Sequence, residues 1–168
     1  MENQSFLANN WDIITVLIIY TIITGFSIQH YYYKISGDEI AYIDIARAYA
    51  VGNWGNGING YWSPLYSWLI TPFLLFGSNP VKAVYISKII SFFVGIFTII
   101  SVRRLSRSFK MSKMIERSLL FSLIPSLLLF SFLYTTPDML LVGVIILYLS
   151  VIFDPNIPII ILMVCYVD

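Results

Sequence analysis

Residues 36–68 read SGDEIAYIDIARAYAVGNWGNGINGYWSPLYSW, and this polar stretch decides how the rest of the chain must be arranged. It contains three of the nine acidic residues, Asp38, Glu39 and Asp44, and five of the nine glycines. Apolar segments flank it on both sides. Polar residues between apolar segments of membrane length either cap helices or carry out chemistry, so both interpretations apply to this stretch.

The composition is typical of an integral membrane protein with little soluble mass. Hydrophobic residues fill 58% of the 168 positions and charged residues only 11%, whereas soluble domains carry about 25% charged residues. The mean hydropathy is +0.81. The net charge of +1 gives no basic surface for nucleic acid, so we expect no nucleic-acid partner.

Apolar segments predict an all-α fold: a polytopic membrane helical bundle with interfacial helices in its first external loop. We expect residues 1–168 to be the N-terminal part of one transmembrane domain, with an external loop at residues 31–80. A final helix of about 11 residues cannot cross a core of about 30 Å at about 1.5 Å per residue, so we expect the chain to be a fragment of a longer protein. The predicted spans are residues 13–30, 81–102, 118–134 and 139–153, with a partial span at 157–168.

Charge places these spans relative to the membrane. Six of the ten basic residues lie in the predicted loop between residues 103 and 117, where Glu116 is the one acid, and the positive-inside rule puts this loop in the cytoplasm. If residues 65–76 span the membrane, Asp38 and Asp138 face opposite sides. If that segment lies along the outer interface, the two acids share the outer face. Its short length favours the interfacial arrangement, and the first remains open.

Helix-start signals mark the central stretch and the segment after it. The sequence Ser36-Gly37-Asp38-Glu39 matches the S-x-x-E capping box, in which each side chain bonds the other residue's backbone, so a helix is predicted over residues 38–51. Asn79 followed by Pro80 predicts a second start, since Asn is a good cap and Pro suits the first helical position.

The central stretch resembles the first external loop of the C-type (GT-C) membrane glycosyltransferases, and the protein-mannosyltransferase and aminoarabinose-transferase groups are the most similar. The similarity runs through GDEIAYIDIARAYAVGNW and NGYWSPLYSWL and covers about residues 10–155. The ordered parts are the acidic pair Asp38-Glu39, the pair Ala46-Arg47, the segment from Pro64 through Tyr66 and Trp68, and Asp138 in the second external loop.

The resemblance implies transfer of a sugar from a polyprenyl-phosphate donor to an acceptor lipid or protein at the outer face of the cell membrane, by a multi-pass enzyme. It makes Asp38 the candidate catalytic base, with Glu39 and Asp138 as supporting catalytic acids. Lys88, about two turns into its predicted helix, is the candidate for binding the lipid phosphate. A divalent metal ion is a candidate cofactor, with no ligands assigned. Because such enzymes place part of the donor site in later helices, this piece alone is expected to be inactive.

Simpler interpretations stand beside each assignment. Asp38, Glu39 and Asp138 could stabilise helix N-termini, where negative charge is favourable. Lys88 could extend to the interface. Arg47 is expected to pair with Asp44 on the same helix. The aromatic residues of the stretch, Trp54, Trp62, Tyr66 and Trp68, are expected to be interfacial anchors rather than platforms for sugar rings.

Other classes of protein are compatible with the same composition. The main rival is a small non-catalytic multi-pass protein, either a partner subunit or a truncated remnant. A transporter fits less well, because transporter sites lie at broken helices near the midplane and these acids lie in loops. The lone His30 argues against a histidine metal site, and Cys165 in an apolar run is expected to be a small buried hydrophobe.

Overall fold

The computed structural model describes residues 2–58, 60–75, 77, 79–132 and 137–154, with side chains from residue 10 onward. This part of the chain is helical and contains no strand, which confirms the all-α prediction. The partial span predicted at 157–168, including Cys165, lies outside the described residues. The helices are α1 (Glu2–Tyr31), α2 (Gly37–Ala50), α3 (Trp54–Gly57), α4 (Pro64–Leu74), α5 (Pro80–Ser108), α6 (Lys113–Phe132) and α7 (Asp138–Ile152).

In the part of the chain that the structure describes, three helices are long and apolar enough to cross a membrane: Asn10–Tyr31 within α1, all of α5 and all of α6. They overlap the predicted spans 13–30, 81–102 and 118–134, of which residues 133–134 lie outside the described residues. The fourth predicted span, 139–153, forms the apolar helix α7, whose 15 residues are fewer than the about 20 that a spanning helix needs.

Both predicted helix starts form, but the capping box is only half made. The Ser36 hydroxyl accepts a hydrogen bond from the Glu39 backbone N–H at 3.1 Å, and Asn79 caps α5 through the Lys82 N–H at 2.7 Å. The reciprocal bond from the Glu39 carboxylate back to Ser36 was a wrong prediction. That carboxylate instead bonds Lys88, which offers a full charge where the Ser36 amide offers only a dipole.

The basic residues predicted to lie in a loop lie mostly on helices. Helix α5 continues to Ser108 and α6 already begins at Lys113, so a turn of four residues joins them. The predicted loop from 103 to 117 was too long because Arg and Lys are good helix formers, and cations stabilise a helix C-terminus.

Contacts at the two ends show the direction of each long helix. At one end, called the basic end for its arginines and lysines between 103 and 117, Arg117 bonds Asp12 of α1 at 2.9 Å. The Ser108 hydroxyl donates to the Ser150 carbonyl at 2.9 Å and brings the C-termini of α5 and α7 to the same end. Helices α1 and α6 therefore run in one direction, and α5 and α7 run in the other.

Small residues and aromatic rings set the packing inside the bundle. Helix α7 lies so close to α5 that a Cβ added at Gly143 would sit 2.8 Å from the Thr98 hydroxyl oxygen. Tyr20 of α1 stacks on Phe92 of α5 with ring centroids 5.7 Å apart, and its hydroxyl lies 3.2 Å from that of Ser131 on α6. The short helices α2 and α4 pack at the end opposite the basic end.

Candidate active site

Helices α2 and α4 are held on the bundle by buried hydroxyl groups. Ser67 of α4 donates to the Tyr42 carbonyl of α2 at 2.9 Å. Tyr66 donates to the Ser87 carbonyl at 3.2 Å, and its hydroxyl lies 2.8 Å from the Ser91 hydroxyl. Helix α4 is thus bonded to both α2 and α5 at one end of the bundle, which we call the acidic end for Asp38, Glu39 and Asp138.

The Glu39 side chain lies at the centre of this end. One carboxylate oxygen accepts from the Lys88 ammonium at 2.9 Å, and neither side chain has any exposed surface. The other oxygen accepts a hydrogen bond from the Ser87 hydroxyl. Lys88 also donates to the Phe132 carbonyl, the last residue of α6, at 3.3 Å. The pair therefore joins α2, α5 and α6.

These contacts indicate a positioning role for the pair. Both oxygens of Glu39 accept hydrogen bonds from protein groups, and the side chain is fully buried. Removing either partner would leave an uncompensated buried charge, which costs far more than losing a surface ion pair. Glu39 and Lys88, singled out from sequence as separate site residues, thus contact one another.

The other two predicted acids lie near one tyrosine. Asp38 is exposed and precedes Tyr42 by one helical turn on α2. Burial raises the pKa of Tyr42 above its usual value, and the negative charges of Asp138 and then Asp38 raise it further. Both carboxylates are thus close enough to act on the same phenol, which remains protonated at neutral pH and is able to donate a hydrogen bond.

A cleft of about 230 Å³ separates α2 and residues 61–66 from the start of α7. The residues that line it include the polar Tyr42, Ser63 and Asp138 and the apolar Leu65, Leu141 and Val144. These three apolar residues are also exposed on the surface of the bundle. The volume is below the about 300 Å³ of a usual small-molecule site.

The described residues do not supply a preformed metal site, because no three His, Cys, Asp or Glu side chains gather there. His30 contacts the Phe26 carbonyl of its own helix at 3.0 Å. No ligand role is therefore assigned to the acids of the cleft.

The surrounding polar and aromatic residues divide into confirmed and corrected predictions. Arg47 pairs with Asp44 at 3.3 Å, as expected. Trp54 and Trp68 are more than half exposed, and their role as anchors stays a prediction, but Tyr66 is 1% exposed and was wrongly predicted to be an anchor. The phenol of Tyr66 bonds two groups on α5, which compensates for its burial.

Ser87 and Ser91 of α5 were missed from sequence, although a signal was present. They lie four residues apart beside Lys88 within an apolar helix, so the three share one face. Polar residues in such a segment usually face the protein interior, and this face is where Glu39 and Tyr66 dock. Comparison of the chain with protein-family models, with curated proteins and with solved structures returned no match.

Proposed function

We propose that this chain belongs to a membrane glycosyltransferase that moves a sugar from a polyprenyl-phosphate donor to an acceptor at the outer face of the cell membrane. One observation carries the proposal: Asp138 and Tyr42 line one cleft together with exposed apolar residues, and Asp38 precedes Tyr42 by one helical turn on α2. A sugar on a lipid phosphate likewise combines a polar head with an apolar chain.

The proposal includes a membrane orientation. Three apolar helices of spanning length support a multi-pass protein. Since the adjoining ends of α5 and α6 and the turn between them carry six basic residues, the positive-inside rule puts that end in the cytoplasm. The acidic end, with its cleft, then faces the outside. Helix α4 belongs to that end, since its side chains bond α2 and the first turns of α5, and this favours an interfacial α4.

In the proposed reaction, Asp38 is the general base. It accepts the proton of the acceptor hydroxyl as that oxygen attacks the anomeric carbon, and the bond from that carbon to the lipid phosphate oxygen breaks. Asp138 lines the cleft and orients the acceptor, with the protonated Tyr42 phenol beside it. The lipid phosphate leaves with the electron pair of the broken bond.

Glu39 and Lys88 support this site by fixing the start of α2, which carries Asp38, on α5 and α6. Direct binding of lipid phosphate by Lys88 requires the phosphate to replace Glu39 as the partner of the ammonium. Lys88 is therefore proposed first as a positioning residue. It becomes a phosphate ligand only if the lipid phosphate replaces Glu39 as its partner.

Photocrosslinking tests the proposal without requiring turnover. The chain in lipid nanodiscs is irradiated with a photoreactive polyprenyl-phosphate hexose, and labelled peptides are mapped by mass spectrometry. We expect label within residues 61–66 or 137–144 that an excess of polyprenyl phosphate removes. Label spread over lipid-facing residues such as Phe26, unaffected by competition, would overturn the proposal.

A second function is favoured by the completeness of the Glu39–Lys88 pair. Because those two groups satisfy one another, their burial is explained by folding alone, as expected for a non-catalytic multi-pass subunit. The crosslinking experiment separates the two functions, since a non-catalytic subunit has no reason to protect one cleft from a sugar-bearing lipid.

A further inference from the structure

A second cavity lies at the basic end, far from the acidic cleft. Its volume is about 400 Å³, and it is formed by the last turns of α5, the turn that follows, and Asp154, two residues after the end of α7. Four cations line it: Arg103, Arg104, Arg107 and Lys110. Asp154 is the one carboxylate among the residues that line it.

The charges around this cavity do not cancel within the described structure. Glu116 of α6 approaches Arg103 at 3.4 Å and Arg107 at 3.9 Å from outside the lining. Asp12 of α1 also acts on Arg103 and is paired with Arg117 at 2.9 Å. The four lining cations and Arg117 thus meet three carboxylates, Glu116, Asp154 and Asp12, and the neighbourhood keeps a net charge of +2. A concave surface with this excess attracts an anion more strongly than scattered surface charges do.

Specific contacts and a specific backbone conformation position the cations that line this cavity. Arg103 is only 6% exposed, and its guanidinium donates to the Asn10 side chain of α1 at 2.8 Å. Lys110 adopts the left-handed backbone conformation, with φ of 50°, in the turn after α5. A residue other than glycine rarely adopts this conformation, and here it forms part of the turn that puts a fourth cation on the cavity.

One of the residues that line the cavity is apolar. Ile100, one helical turn before Arg104, is 48% exposed on the surface of α5. An occupant therefore meets four cations and, beside them, one apolar side chain. Membrane lipids with an anionic phosphate have this arrangement of charge and chain, and Arg bonds phosphate oxygens in pairs.

We propose that this cavity binds the phosphate of an anionic membrane lipid in the leaflet at the basic end. The proposal rests on the membrane orientation inferred above and is independent of the transferase activity, whose cleft lies at the opposite end. Basic residues that only set the membrane orientation need no cavity. A lipid site needs cations that converge on the phosphate and an apolar surface for the acyl chain.

Native mass spectrometry of the purified chain in neutral detergent tests the proposal. Phosphatidic acid is titrated against phosphatidylcholine, and inorganic diphosphate is titrated in a parallel series. We expect saturable binding of phosphatidic acid, weaker binding of the zwitterionic lipid, and little binding of diphosphate. Tight binding of diphosphate without preference for the lipid would overturn the proposed lipid, as would equal binding of both lipids.

Two exposed residues at the same end give matched variants. Arg104→Gln removes a cation that lines the cavity, and Lys113→Gln removes one that does not. Loss of a charge-assisted hydrogen bond predicts about tenfold weaker lipid binding in the first variant and unchanged binding in the second. The melting temperature without lipid shows that both variants are folded. Equal weakening in the two would indicate diffuse attraction and overturn the site.

Discussion

Glu39 and Lys88, 49 residues apart in sequence, form an ion pair of 2.9 Å with both side chains fully buried. The pair connects the start of α2 to the second turn of α5, and through the Phe132 carbonyl it reaches the end of α6. The polar stretch at residues 36–68 is therefore attached to the apolar bundle by a charge interaction.

Removing one partner should be strongly destabilising. We expect Lys88→Met to lower the free energy of unfolding by about 3–5 kcal/mol, because Glu39 is left as an unpaired buried charge. Denaturant unfolding in detergent measures this loss. The double variant Glu39→Gln/Lys88→Met should recover part of it, since no charge is then left without a partner.

The exposed pair Asp44–Arg47 is the control, because Arg47→Gln should cost no more than about 0.5 kcal/mol. If Lys88→Met is as mild as Arg47→Gln, the buried pair does not fix α2 on the bundle.

The negative charges of Asp38 and Asp138 should act on Tyr42. Because their negative charges disfavour the phenolate, Asp138→Asn and Asp38→Asn should each lower the pKa of Tyr42. NMR of tyrosine labelled at Cζ follows the titration, with the signal assigned by Tyr42→Phe. Asp44→Asn should leave this pKa unchanged. If Asp138→Asn leaves the pKa of Tyr42 unchanged, the charge of Asp138 on α7 does not act on Tyr42 of α2.

The same tyrosine gives a pH dependence of stability. Its pKa is raised in the folded protein above the ordinary value of 10.0, so the folded state retains the proton longer than the unfolded state does. The Tyr42 contribution is therefore fully present below pH 10 and is lost as the pH rises through the folded-state pKa. In the Tyr42→Phe variant, the free energy of unfolding should decrease less as the pH rises into the alkaline range.

Both acids should be accessible from one side of the membrane. Single cysteines are introduced at positions 38, 138 and 107 in a Cys165→Ser background, and intact cells are treated with an impermeant thiol reagent. We expect labelling at 38 and 138, and labelling at 107 only after the cells are opened. Labelling at only one of positions 38 and 138 would indicate that α4 spans the membrane.

Asp38 is tested in the gene product that contains this chain. Asp38→Asn keeps the size of the side chain but removes the proton acceptor, so turnover should fall by about 10²- to 10⁴-fold. Ser36→Ala is the matched control, because it removes the 3.1 Å cap to Glu39 at a cost of about 0.5–2 kcal/mol and leaves the carboxylate. Equal, near-normal sugar transfer by both variants would remove Asp38 from the mechanism.

The contact between α5 and α7 should not tolerate an added methyl group. Gly143→Ala would place a Cβ 2.8 Å from the Thr98 hydroxyl oxygen, and such overpacking costs about 1–3 kcal/mol. Gly25→Ala is the control, because no atom lies within 4 Å of its added Cβ. Thermal unfolding in detergent should show a lower melting temperature for the first variant and no loss for the second.

Local signals in the sequence were sufficient for the long helices and for two helix starts, but not for the short helix α3. Apolar runs predicted α1, α5, α6 and α7, and the caps at Ser36 and Asn79 predicted the starts of α2 and α5. These features depend on residues within a few positions of each other, so the sequence displays them directly. The end of α5 was misplaced, because its arginines resemble a loop by charge although they favour helix by propensity.

The sequence by itself thus determined the helical class, the apolar segments and the distribution of basic and acidic residues along the chain. Only the tertiary structure decided that Glu39 pairs with Lys88 and that Asp38 and Asp138 act on one tyrosine. It also showed that four cations line a cavity at the other end. A buried charge selects its partner by proximity in space, and the packing of α2 against α5 brings together residues 49 positions apart.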